Sequence, residues 1–298
     1  MAAIVSGLGT SSGKVTYSTH RRKISCLVTN LRVSWIGRNG KCSVFCSLSL
    51  LYFFVSIFMP QEFVLIGFYF LALLYSVIIH EVAHGVMALW LGDMTAKYAD
   101  RLNLNPVKHI DPFGSIFLPA LLIITTGSAF GWAKPVPYNP YNLKDQKWGP
   151  LWVALAGPGS NLLLATVASL LAFVLPLSQL AKQDIVARFA QAVYGGGSFF
   201  ERFGALTEAL SGSLPQVLFG LLLIIIFWNV VLACFNLLPF PPLDGSKLLY
   251  VLFPIREETK VWLEHYGLFF LLFAVFLLSA PISFFINVVL SFFIRLAL

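Results

Sequence analysis

The chain has 298 residues, 58% hydrophobic and only 11% charged, with a mean hydropathy of +0.82. That composition excludes a soluble globule and fits a polytopic membrane protein. The net charge of +7 is an N-terminal feature. Residues 1–61 hold Lys14, Arg21, Arg22, Lys23, Arg32, Arg38 and Lys41 with no acid, whereas from Glu62 onward 13 basic and 13 acidic residues cancel. No folded basic module accompanies this excess, so no nucleic-acid partner is expected.

Residues 1–42 are expected to be a basic, disordered tail, and residues 43–298 the membrane domain. A basic flank before the first span keeps an N-terminus cytoplasmic. The rival reading is an organelle transit peptide, because the segment is also rich in Ser and Thr. Cys26, Cys42, Cys46 and Cys234 show no paired spacing and are expected as free thiols. A short first span over 43–59 ends at Pro60, and a second, 63–91, stops at Gly92-Asp93. The polar stretch that follows, through Pro112 and Gly114, contains Asn, Pro and Gly and predicts irregular or strand-like backbone. Residues 113–130 are apolar again, and 131–150 form a Pro-rich polar loop. Spans are expected over 150–176 and 214–238. Residues 261–298 form either one long helix or two spans broken near Pro281. The fold class is therefore an all-α polytopic membrane protein of about five or six transmembrane helices.

Within the span 63–91 the only charged or imidazole side chains belong to His80-Glu81-Val82-Ala83-His84. Such groups are costly in hydrocarbon, and a functional reason is the default explanation. His80 and His84 lie one helical turn apart on one face, so both rings can reach one metal ion while Glu81 beside them handles a proton. This is the H-E-x-x-H arrangement of zinc peptidases.

A catalytic zinc takes three protein ligands and leaves a position open. Asp244 is the outstanding third candidate. Pro239, Pro241 and Pro242 end the preceding span and extend the chain, and Gly245 lets it turn after the acid. Alone, Asp244 reads equally well as the N-cap of a following helix; beside an intramembrane H-E-x-x-H the ligand reading prevails. Counting crossings gives a test of this pairing. If 113–130 crossed the bilayer, Asp244 would arrive on the side opposite the histidines; if it dips in and returns, Asp244 arrives on the same side. A re-entrant or irregular segment is therefore expected between the two conspicuous spans, sheltered from lipid by protein.

HEVAH at 80–84, AGPGSN at 156–161 and NLLPFPPLDG at 236–245 occur in this order, with NPVKHIDPFGS at 105–115 and GWAKPVPYNP at 131–140 between them. Over about residues 63–260 the chain resembles the site-2 proteases, a family of intramembrane zinc metalloproteases, in their compact prokaryotic form without a PDZ domain. The resemblance implies one Zn2+ per chain held by His80, His84 and Asp244, Glu81 as catalytic base, and Asn161 as a contact to substrate or oxyanion. It implies membrane-spanning protein substrates, membrane lipid as surroundings, and a multi-pass location in a prokaryotic cell membrane. An interhelical hydrogen bond is the plainer role for Asn161. Asn236 is expected to brace its helix end, and His20, His109 and His265 are read as structural. The polar segment 94–111 is a candidate edge for pairing with extended substrate. Two rival functions are a catalytically silent adaptor, which has no need of Glu81, and a metal transporter, which calls for polar sites strung along a path.

Overall fold

The computed structural model describes residues 14–19, 22–29, 32–35, 61–117, 133–196, 212–253 and 255–298, with Leu121, Gly204, Leu206, Thr207, Glu208 and Leu210. The chain divides into two compact units, Met1–Pro60 and Gln61–Leu298. In the first, β1 (Lys14–Thr19), β2 (Arg22–Thr29) and β3 (Arg32–Trp35) pair antiparallel in the order β1-β2-β3. Val15 faces Cys26 and Val28 faces Val33 across the ladders. An expectation of disorder over 1–42 does not anticipate these strands, whose β-branched residues suit pairing. The span expected at 43–59 lies outside the described residues.

The second unit is helical. Its first helix, α1 (Gln61–Trp90), has 30 residues, about 45 Å at the usual rise and more than the ~30 Å hydrocarbon thickness. It stops where the sequence predicts: Gly92 adopts φ +108°, and the Asp93 N–H turns back to the Ala88 carbonyl at 2.9 Å, a helix stop that favours glycine. Two single-turn helices follow, α2 (Thr95–Tyr98) and α3 (Pro106–His109). Of the irregular or strand-like backbone expected over this polar stretch, single helical turns joined by irregular chain are what is found, with no strand among residues 94–111. Asn105 caps α3 by accepting from the Val107 N–H, and Pro106 stands at the first helical position, where a missing N–H is no loss.

The later helices are α4 (Gly149–Phe173), α5 (Gln179–Tyr194), α6 (Leu214–Asn236), α7 (Ser246–Leu252), α8 (Glu257–His265), α9 (Gly267–Leu277) and α10 (Ser279–Ala297). Among the described residues α1, α4, α6 and α10 are long and apolar enough to cross a membrane, and α8 with α9, bent by 72°, makes a fifth if counted as one span. The break in the C-terminal apolar region falls at Leu278, between α9 and α10. Pro281 sits inside the first turn of α10, where its missing N–H is tolerated.

The core is built around α4. Ala165, Ala168 and Ala172 are buried against Leu65 and Ala72 of α1, Phe219, Leu223 and Val230 of α6, and Leu290 and Phe293 of α10. Small side chains let helix backbones approach closely where no hydrophobic drive from water operates. At the other end of the same helix pair, Val153 packs on Ala88, so α1 and α4 run antiparallel. On α5 the buried Lys182 ammonium donates to the carbonyls of Ala172, Phe173 and Ala297. It satisfies the C-termini of α4 and α10 together, where a cation suits the helix dipole.

The α1–α4 connection begins and ends at one end of the bundle. The Lys144 N–H donates to the Leu91 carbonyl and the Lys134 N–H to the His109 carbonyl, both at 2.9 Å. Arg101 reinforces the junction by donating to the Lys134 carbonyl at 2.7 Å. Entry and exit of the apolar segment therefore lie side by side, which removes a net crossing. Of that segment the described part is the π-helical turn Pro112–Phe117 and Leu121; the rest lies outside the described residues.

Asp93 ties the connection to the end of α1. Its carboxylate accepts from the Thr95 hydroxyl and N–H, from the Asn139 N–H at 2.7 Å and from the Asn142 side chain at 3.0 Å. Burial alone would raise its pKa, but these donors hold it below the usual 3.8. A depressed folded pKa contributes stability that is complete above 3.8 and is lost as pH falls through the folded value. In detergent, the wild-type melting temperature should drop more steeply below about pH 4 than that of Asp93→Asn, which should also be destabilised at pH 7 by roughly 1–3 kcal/mol. Parallel acid limbs in the two proteins would refute this role.

Candidate metal centre

Three elements converge at the buried end of the connection. α1 presents His80 and His84, one turn apart. α6 ends at Asn236, whose side chain donates to the Leu232 carbonyl at 3.0 Å and braces the last turn. The prolines then carry the chain out and back, and the Gly245 N–H closes the excursion on the Asn236 carbonyl at 2.7 Å. Gly245 is required for proximity: its φ is an ordinary −58°, but a Cβ there would lie 2.3 Å from the Leu237 carbonyl oxygen. The Asp244 side chain does not cap α7, which begins without any side-chain cap bond. It turns inward to the histidines.

Asp244 Oδ2 lies 3.2 Å from His80 Nε2 and 3.3 Å from His84 Nε2, and the two Nε2 atoms are 3.0 Å apart. The side chains of His80, His84 and Asp244 are 7, 12 and 22% exposed. Among the described residues these three form the group able to hold a metal ion. The geometry fits zinc. Ligand atoms about 2.05 Å from a tetrahedral zinc are about 3.3 Å from one another, close to all three separations. The outward nitrogen of His84 supports the same assignment. Nδ1 lies 2.7 Å from the Val153 carbonyl and donates to it, which leaves the Nε2 lone pair pointing into the cluster.

Gly157 makes the cradle. A Cβ at this position would lie 2.5 Å from both Cε1 and Nε2 of His84 and 2.7 Å from Cε1 of His80. The backbone of α4 can pass the two imidazoles only without a side chain there.

Glu81 stands beside the cluster on α1, and its Oε2 accepts from the Val136 N–H at 2.9 Å. Asn161 lies one turn beyond Gly157 on α4. It is fully buried, and its side-chain nitrogen has no protein partner. His109 is fully buried too but stays apart from the cluster, with Nε2 2.8 Å from the Asn103 carbonyl. Sequence reasoning missed Val153, Gly157 and Val136. Gly157 lay in plain view within AGPGSN, but nothing in one sequence says which glycine of that run faces a ring. A further buried polar pair, Asn229 of α6 and Ser76 of α1, is joined at 2.9 Å. It was foreshadowed only by an Asn in an otherwise apolar span.

The sequence pattern of Peptidase family M50 matches residues 68–278. A Bacillus subtilis (strain 168) protein named "Putative zinc metalloprotease YwhC" is 36% identical over 198 residues, covering 66% of this chain and 74% of that protein. A Mycolicibacterium smegmatis (strain ATCC 700084 / mc(2)155) protein named "Putative zinc metalloprotease Rip2" is 34% identical over 94 residues, or 32% of this chain and 35% of that one. No solved structure matches.

Proposed function

The chain belongs to peptidase family M50, the site-2 protease family of intramembrane zinc metalloproteases, and from that premise we propose that it cleaves membrane-anchored proteins with His80, His84 and Asp244 as zinc ligands and Glu81 as general base. The observation that carries the assignment is the approach of one carboxylate and two imidazole nitrogens within 3.3 Å of one another. Bound there, zinc would acidify a water molecule and polarise the scissile carbonyl. The Val136 N–H holds Glu81 by Oε2, so that its other oxygen takes the water's proton and later delivers it to the leaving amine. Asn161 offers an amide N–H to the developing oxyanion, a role neutral amides fill well in sites shielded from water.

The C-terminus of α1, the N-terminus of α4 and the C-terminus of α6 share one end of the bundle. That end carries Lys97, Arg101, Lys108, Lys134, Lys144, Lys147 and Lys247, against Lys182, Arg188 and Arg295 at the other. The positive-inside bias favours a cytoplasmic position for the metal-bearing end. A prokaryotic cell membrane is the setting this reading favours.

Purified protein should hold one zinc per chain, and Asp244→Asn should weaken zinc by more than the ~10–100-fold typical of losing a ligand's supporting partner. Competition with a chromogenic chelator measures it. A helix-capping Asp would instead lower the melting temperature and leave zinc affinity untouched, and that result would remove Asp244 from the metal set.

A further inference from the structure

The two histidines differ behind the metal. His84 Nδ1 has the Val153 carbonyl, but His80 Nδ1 is buried without a hydrogen-bond partner. A metal-bound imidazole nearly always donates its second N–H to a carbonyl, carboxylate or water, and a buried donor left alone is costly. An acceptor in the same condition lies on the neighbouring helix. Asn229 is 1% exposed, and its Oδ1 has no partner.

The orientation of that amide is fixed by its neighbours. Ser76 Oγ has a single proton and donates it to the Ala72 carbonyl at 2.7 Å. It can therefore only accept from Asn229, whose Nδ2 donates to Ser76 Oγ at 2.9 Å and to the Ile225 carbonyl at 2.8 Å. Turning the amide over would set two oxygens against each other at Ile225. Oδ1 is consequently the free acceptor. Ser76 precedes His80 by one turn, and helical side chains lean toward the N-terminal turn. His80 is therefore the next residue along the face of α1 from the one that Asn229 touches.

We infer that Asn229 is a positioning residue for the metal centre, its side-chain carbonyl accepting the His80 Nδ1–H across one buried water. This inference rests on His80 being a zinc ligand. Buried waters join otherwise unsatisfied groups in this manner, and the link locks the ring so that Nε2 faces Asp244 and His84. Ser76, by contrast, only steadies the amide.

The test is zinc affinity of the full-length protein in detergent, read by chelator competition, together with the visible spectrum of the cobalt(II)-substituted form. Asn229→Leu should weaken zinc by ~10–100-fold and change the cobalt spectrum, whereas Ser76→Ala should stay within about threefold of wild type with the spectrum unchanged. If Asn229→Leu does not fold, Asn229→Ser and Asn229→Ala are compared: the hydroxyl can still accept through water, so Ser should bind zinc more tightly than Ala. Equal zinc affinity in wild type and Asn229→Leu, or in the Ser and Ala variants, overturns the inference while leaving the ligand assignment intact. Equal losses in Ser76→Ala and Asn229→Leu would also overturn it, since an interhelical contact alone would then suffice. A wild-type protein that binds no zinc overturns both.

Discussion

Glu81→Gln should reduce peptide cleavage by roughly 10²–10⁴-fold and leave zinc binding unchanged. The two side chains have the same shape, and Gln keeps a carbonyl oxygen to accept the Val136 N–H that meets Glu81 Oε2 at 2.9 Å. The loop over the site should therefore stay where it is. What disappears is the capacity to take a proton from water. Glu81 is also outside the group of side chains placed to hold the ion, so its loss should not release metal. Single-turnover cleavage of a membrane-anchored reporter, with zinc counted by mass spectrometry on the same preparation, separates the two effects. Turnover at the wild-type rate would remove Glu81 as the general base. Loss of zinc alongside activity would place Glu81 in the coordination sphere.

The sequence was most informative where a residue was chemically out of place. Two imidazoles and a carboxylate in an apolar run, and an acid after three prolines, led to an expectation that His80, His84 and Asp244 meet, and they do meet. Parity of crossings then required the connection between the first two described spans to return to its starting side. The bonds from Lys134 to His109 and from Lys144 to Leu91 close it there. Backbone conformation inside that connection was less legible. Polar, Pro- and Asn-containing sequence suggests irregular or strand-like chain, but Asn105 and Pro106 are equally good helix starters, and with Arg101 anchored to Lys134 and His109 to Asn103 the stretch forms single helical turns. The substrate edge imagined there has no strand to offer. Residues 133–139 form neither helix nor strand, and from them the Val136 N–H reaches Glu81. Least legible were contacts made by what is missing. A glycine's lack of a Cβ and a carbonyl's aim leave no periodic trace, so Gly157 and Val153 emerged only with the packing of α4 on α1.

Gly157→Ala is the small change that strikes the two histidines directly. One methyl group would stand 2.5 Å from His84 and 2.7 Å from His80, well inside the ~3.5–4.0 Å at which carbon atoms rest. The rings have little room to retreat. His84 is tied at Nδ1 to Val153, one turn earlier on the same helix, and α4 is held against α1 by Val153 on Ala88 and by its buried alanines. Relief must come from turning an imidazole or parting the helices, and a displacement of about 1 Å at a reacting centre costs on the order of 10²-fold in rate. Zinc affinity should fall with it. Gly159→Ala is the internal control. It lies on the same helix with nothing within 4 Å of the added methyl, so it should keep zinc and activity and gain up to about 1 kcal/mol from helix propensity alone. Zinc retention, cleavage rate and melting temperature measured on the pair distinguish a steric conflict at the metal from a general intolerance of α4 to substitution. If both variants behave alike, the close passage of α4 across the histidines is not what shapes the site.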